Sequence, residues 1–486
     1  MAGVGFELKK IIDKDNIFAR TRAYFMSALI TVGPMIVCIT LFLVMQKLLK
    51  TLGESYVDIQ IFNAIIIYSF LVSYISSNGI SMFMSRYISD CIYGKKSGSI
   101  FESFIGVSII CSVISSLAIG IFLINSPLNL FLKGICFMIT IILSLIWLEI
   151  IYLSAIKEYL HIVVFFLIGV AVVILGTLFG IKFLGIPNIY SALLFSLIGY
   201  LFIALSFIVL IYRVFGIQDL SLSNCFRFVE SIDKYYELFF VGILLSFGAY
   251  FPNIIVWLTP NAEEVASTFR IAPFYDVPSF YAFLSIIPSV VMFTVKVETS
   301  IYPKYKEFYN FVRESGSINE IRRTRDMLID SIVLHMTHMM EVQFIASFAC
   351  VVFGFKLLPT MGFASDSIEI FGILTLGAIS YISMSFLILM LLYFDSRKDA
   401  MYISLVFFIS TVVLSIVTVI IGPQYYGYGF FFGSLISVAF AFYRVNKFFK
   451  EIEYRTFASQ PVFHSDEKRF FGKVYALFNR RDKKEA

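Results

Sequence analysis

The chain has 486 residues, of which 59% are hydrophobic and 15% charged, with a formal net charge of +5. A soluble globular domain is about a quarter charged, so a soluble core does not account for this composition. The apolar excess lies in long uninterrupted runs, and the positive excess is arranged as membrane topology requires, with no implication of nucleic-acid binding.

An apolar run of about 20 residues is what a helix needs to cross the hydrocarbon. Twelve such spans are expected, at 24–46, 62–84, 104–124, 134–154, 162–183, 190–211, 239–258, 279–295, 340–358, 368–394, 401–421 and 427–448. With the N-terminus in the cytoplasm, 32 of the 38 Lys and Arg fall on the inner side. That bias orients the chain, with both termini cytoplasmic in a multi-pass protein of the plasma membrane.

In chain order, 1–22 is expected to be a cytoplasmic amphipathic segment, too charged for a signal peptide. A six-helix bundle follows at 23–211, then a cytoplasmic linker at 212–238. A second six-helix bundle occupies 239–448 and includes a cytoplasmic segment at 296–339. A basic cytoplasmic tail at 449–486 closes the chain. The halves read as a repeat: "SMFMSRY" (81–87) and "VMFTVKV" (291–297) close corresponding spans, and Pro34 and Pro252 break each opening span. Within the 296–339 segment, "SINE" (317–320) is a capping box, with Ser317 as N-cap and Glu320 three residues on. In the tail, "KRFFGKVYALFNRR" (468–481) puts aromatic and aliphatic residues on one helical face flanked by cations. Such a helix lies on an anionic bilayer surface or docks a cytosolic partner.

Enzyme chemistry finds little support. There is no GxxxxGK[ST] loop, so no P-loop ATPase is expected. The triplet Asp13-Lys14-Asp15 has no fold behind it to serve a sugar-nucleotide transferase. His335, His338 and Glu341 in "HMTHMME" lack the HExxH spacing of a metal site. The six cysteines form no CxxC, so neither a disulfide framework nor a metal cluster is expected, and no cofactor.

Polar groups inside the spans carry more information. An ionisable side chain near the bilayer centre costs about 2.5–3.5 kcal/mol on insertion scales, so such groups usually face a cavity or a partner. Glu149 stands alone in "SLIWLEIIYLSAIKEY" (144–159). Two roles suit it: a carboxylate facing a hydrophilic passage, or an interfacial acid paired with Lys157. Asn63 and Asn78, the latter beside Gly79, are further candidates for the transport path. Arg86, Lys296 and Glu298 cap two spans at the inner face, where they could form an ion-pair gate. Asp276 with Arg270 could form an outer pair.

The opening "MAGVGFELKK" resembles that of the PelG family, inner-membrane exporters of the Pel exopolysaccharide. So do "SRYISDCIY" (85–93), "PFYDVPSFYAFLSIIPSVVMFTVKVETSIYPKYKEFY" (273–309), "LLYFDSRKDA" (391–400) and "GPQYYGYGF" (422–430). The resemblance implies the multidrug/oligosaccharidyl-lipid/polysaccharide (MOP) exporter fold: an all-α polytopic protein of two six-helix bundles around a central cavity. It also implies a substrate, a partly deacetylated polymer rich in N-acetylgalactosamine. The partners implied are a cytosolic PelF-like glycosyltransferase and PelD-like and PelE-like membrane proteins, all within the lipid bilayer. A cavity bearing carboxylates and aromatic faces suits such a cationic-to-neutral polymer, and Glu149 would belong to that lining. Three other functions compete with this one. A flippase for lipid-linked oligosaccharide needs cations for pyrophosphate, and the spans hold no cluster of them. A cation-coupled multidrug antiporter would use Glu149 as its coupling acid. A membrane glycosyltransferase needs a larger cytosolic domain than 296–339.

Overall fold

The computed structural model describes residues 32–95, 98–156, 159–217, 221–314, 316–360 and 364–457, together with Ala28 and Gly472. The N-terminal segment with its Asp-Lys-Asp triplet, Lys157, and the 468–481 helix apart from Gly472 lie outside the described residues.

Twelve helical segments among the described residues are long and apolar enough to cross a membrane, and each overlaps one of the expected spans. The protein is a multi-pass, all-α membrane protein. It divides into two compact units. Among the described residues the first takes in Pro34–Tyr250 and Ala262–Ile271, and the second takes in Phe251–Asn261 and residues 272–457.

The first unit holds α1 (Gly33–Thr51), α2 (Tyr56–Tyr93), α3 (Gly98–Ile124), α4 (Leu130–Ile156), α5 (Tyr159–Lys182), α6 (Asn188–Phe215), the short α7 (Leu222–Cys225) and most of α8 (Val229–Trp257). Helix α2 begins at Ser55, whose hydroxyl accepts the Asp58 N–H, and stops at Gly94. Its 38 residues make a rod of about 57 Å, far more than the roughly 30 Å of hydrocarbon. Helix α4 lies at the heart of this unit, packed on α2, α3 and α6, while α5 packs on α6. Lipid offers no hydrophobic force between helices, so small residues must bring the backbones close. On α5, Gly169 meets α6 at Ile203 and at the Gly199 carbonyl.

Between α8 and the next helix is a β-hairpin of β1 (Glu263–Val265) and β2 (Phe269–Ile271), antiparallel, with Glu264 opposite Arg270. Its turn takes Ala266 and Ser267 through positive φ, 48° and 56°. Tyr68 of α2 anchors it, accepting the Arg270 N–H at 3.0 Å and donating to the Arg270 carbonyl at 2.9 Å.

The second unit holds α9 (Pro273–Leu284), α10 (Ile287–Lys296), a π-helical turn at Val297–Ile301, α11 (Tyr302–Arg313), α12 (Ile318–Thr360), α13 (Ser365–Tyr393), α14 (Arg397–Ile421), α15 (Tyr428–Lys450) and α16 (Ile452–Phe457). The expected capping box forms: the Ser317 N–H donates to Glu320 at 2.8 Å, and the Glu320 N–H donates to the Ser317 hydroxyl at 3.3 Å. It starts a helix that runs 43 residues without a break into the ninth span. The 318–339 stretch is therefore the extension of that span and not a separate helix. Helices α14 and α15 are pressed together where Gly429 and Gly433 face Ser415 and Thr411. A Cβ on Gly433 would come 2.7 Å from the Thr411 Cα.

Candidate functional site

Helix α4 carries a seam of polar side chains along its packed faces. Trp147 Nε1 donates to the Ser73 hydroxyl of α2 at 3.2 Å. The Tyr152 and Ser103 hydroxyls meet at 3.2 Å, linking α4 to α3. Ser69 lies 3.5 Å from the Cys136 carbonyl, and Ser76 and Ser115 join α2 to α3 at 2.8 Å. Each hydroxyl in this seam has a nearby acceptor, as low-dielectric packing demands.

Glu149 departs from that rule. It has no exposed surface, and neither Oε1 nor Oε2 has a hydrogen-bond partner among the described residues. On its helix face stand Ile146, Tyr152 and Leu153, all enclosed. Removing one partner from a buried ion pair, and so leaving an uncompensated charge, costs about 3–5 kcal/mol. This arrangement can take up a proton, a metal cation or an amine.

Asn63, Asn78 and Arg86 have local partners. Asn63 accepts from Gln46 Nε2 at 2.8 Å. Asn78 donates to the Gly242 carbonyl at 2.9 Å and to the Ser246 hydroxyl at 2.5 Å, where α2 and α8 meet at Gly79 and Gly242. Arg86 pairs with Asp90 at 3.4 Å, and Asp90 accepts the Tyr235 hydroxyl. Lys296 ends α10, and Glu298 is buried in the π-helical turn that follows.

Asp276 and Arg270 find other partners than each other. Arg270 bonds Glu264 on the hairpin at 2.5 Å. The Asp276 carboxylate accepts Asn253 Nδ2, Trp257 Nε1 and the Ala272 N–H, each at 2.9 Å. The Asn253 and Trp257 bonds tie α9 to the end of α8, and the Ala272 bond caps the start of α9 itself.

A further buried acid was not anticipated from the sequence. Asp399, in the first turn of α14, accepts the Ser396 hydroxyl at 2.6 Å and bonds Arg455 at 2.7 Å and Arg444 more closely still. Arg455 also reaches Glu451 at 3.1 Å, and Glu453 takes Arg325 and Arg322 from α12. Burial works against the Arg455 charge, but the bonds to Asp399 and Glu451 outweigh it and hold its guanidinium above its ordinary value. The spacing Ser396-x-x-Asp399 is a capping signature, and the basic residues of 444–455 were the signal for its partners. His338 and Glu341 meet at 3.2 Å on an exposed face.

Comparisons with known proteins agree with the fold. The model of the family PelG, described as "Putative exopolysaccharide Exporter (EPS-E)", matches residues 1–457. A search of curated proteins by sequence gives no match. The Vibrio cholerae MATE transporter VcmN in its bent form superposes with a TM-score of 0.61 at 13% identity, covering 93% of this chain and 99% of that one. A MOP superfamily transporter from Pyrococcus furiosus gives 0.55 at 12% identity, over 88% and 96% of the two chains. An inward-facing multidrug resistance MATE family transporter gives 0.54 at 12% identity, over 83% and 92%. At these identities the likeness is one of fold, that of the MOP superfamily.

Proposed function

The chain belongs to the PelG family of exopolysaccharide exporters, a transporter and not an enzyme, and from that premise we propose that it exports a Pel-like polymer. The polymer is a partly deacetylated, N-acetylgalactosamine-rich chain carried across the cytoplasmic membrane, both termini of the protein facing the cytoplasm. The route is the central passage that the two-bundle fold implies. A PelF-like glycosyltransferase supplies the polymer on the cytosolic side, and PelD-like and PelE-like membrane proteins work beside the exporter. The observation that carries this reading is the family match over residues 1–457, which takes in every described span. Glu149 supports the choice of cargo: an acid without a partner among the described residues suits a chain of amines. Asn63, Asn78, Arg86, Asp276, Lys296 and Glu298 are proposed to line or brace the route, with the bundle boundaries at 23–211 and 239–448.

A cation-coupled multidrug antiporter is the second reading, and the same feature of Glu149 favours it, since a lone acid can bind a proton or cation. One experiment separates the two. The exporter is deleted while the glycosyltransferase is kept, and amino-sugar polymer is measured inside and outside the cells. Export predicts loss of external polymer, with internal polymer retained or synthesis arrested. Unchanged external polymer together with altered sensitivity to small cations means the antiporter.

A further inference from the structure

The second unit contains a groove of about 1020 Å³ that the transport reading leaves unused. It lies between one face of α12, from Phe344 to Phe355, and one face of α13, from Asp366 to Ile379; the 421–428 link between α14 and α15 closes its side. Along α13 the lining spans 13 residue steps, about 20 Å. That exceeds half of the roughly 30 Å hydrocarbon thickness, the share of one leaflet.

The lining changes character along its length. Asp366 and Glu369 sit three residues apart in the first turns of α13, both exposed, and Gln424 also lines the groove. Further along α13, Ile370, Ile373, Leu376 and Ile379 follow on the same face. No Lys, Arg or His is among the described residues that line the groove. Only 17% of the apolar window of α12 is buried, so its wall of the groove is a helix that faces outward from its own unit. Phe344 and Phe348 on that wall are 61% and 65% exposed.

A sugar chain would need hydrogen-bonding partners along the whole groove, but on the α12 and α13 walls the Thr375 hydroxyl already donates to the Phe371 carbonyl and Ser347 already accepts Gln343. The gradient fits an amphiphile. We propose that the groove holds a membrane lipid with an amine-bearing head group, its ammonium at Asp366 and Glu369 and one acyl chain along the aliphatic face of α13. On the orientation given by the basic residues, this is a lipid of the outer leaflet. An acyl chain leaving neighbouring lipid for the groove gains no hydrophobic energy. Preference among lipids therefore rests on the head group, which makes it testable.

The protein is reconstituted with equimolar phosphatidylethanolamine and phosphatidylglycerol, extracted gently, and its retained lipid counted by native mass spectrometry. The amine lipid is expected to be enriched roughly tenfold, the scale of one charge-assisted hydrogen bond. Asp366→Asn with Glu369→Gln should bring the ratio near one while leaving lipid bound. Gly372→Phe, which projects into the groove from a position whose nearest neighbour is Phe355 at 3.6 Å, should lower the total. Should Gly372→Phe fail to fold, the head-group ratio still decides. Equal retention of both lipids, or a ratio that survives loss of the two carboxylates, overturns the proposal. Displacement of the lipid by a galactosamine oligomer also overturns it and gives the groove to the polymer.

Discussion

Two buried carboxylates, one in each unit, receive opposite treatment. Asp399 at the basic end of the second unit is met by a serine hydroxyl and two guanidinium groups, and its neighbours Glu451 and Glu453 extend the pairing to α12. Glu149, deep in the first unit, is met by none among the described residues. Both are nearly or wholly removed from solvent, 3% and 0% exposed. Where a charge holds helices together, the chain supplies partners on each of them. Where an acid stands among satisfied hydroxyls with no partner among the described residues, the described architecture does not account for its cost, and the proposed exchange of a proton, cation or amine would.

The largest effect is expected at Asp399. Asp399→Ala leaves Arg444 and Arg455 facing each other without their shared anion, and breaking a buried pair costs about 3–5 kcal/mol. Both arginines retain some solvent contact, so the low end of that range applies. Membrane abundance and the Tm of detergent-purified protein should both fall clearly. An unchanged Tm would remove the structural half of the contrast.

Glu149→Gln tests the other half. The amide keeps the shape and removes the capacity to bind a proton or pair with an amine. Tm should hold or rise, while polymer export falls by roughly tenfold or more, the pattern of a lost functional interaction. Export and abundance both at wild-type level would make Glu149 an interfacial residue.

Asp276 should fall between the two in stability. Its carboxylate accepts from the N–H groups of Asn253, Trp257 and Ala272, and Asp276→Asn turns one oxygen into a donor facing Trp257 or Ala272. Leaving a buried donor unsatisfied costs about 1–3 kcal/mol. A smaller Tm loss than that of Asp399→Ala is expected. A loss equal to or above it would mean that the α8–α9 tie matters more than the ion-pair cluster.

Much of this architecture is legible in the amino-acid sequence. Twelve apolar runs give twelve spans because hydrocarbon thickness sets a length that composition records directly. The ends of α2, α8 and α11 are not legible, since a helix continuing past the membrane loses its apolar signal but not its hydrogen bonding; the start of α12 is legible because its capping box marks it. The hairpin escapes because three-residue strands are too short to show alternation. Glu149 is visible as a lone acid in an apolar run, yet that it has no partner among the described residues is a three-dimensional fact. Asp276 is visible as an acid, but the sequence offers Arg270 as its partner. Its donors Asn253 and Trp257 lie 23 and 19 residues away on another helix, where no local pattern points.

The smallest effect is expected at Asn78, which resembles Glu149 in sequence, as a polar residue in a span, and Asp399 in structure, as a satisfied one. A Cβ on Gly242 would come 2.5 Å from the Asn78 carbonyl oxygen, so backbone contact already holds α2 against α8. The Asn78 amide adds two hydrogen bonds to a crossing that does not depend on them. Interhelical hydrogen bonds in membranes average about 0.6 kcal/mol. Asn78→Ala should therefore lower Tm only slightly and leave polymer export intact. If export is lost while Tm holds, satisfaction by neighbours does not mark a residue as structural, and the contrast between Glu149 and Asp399 would have to rest on the loss of function alone.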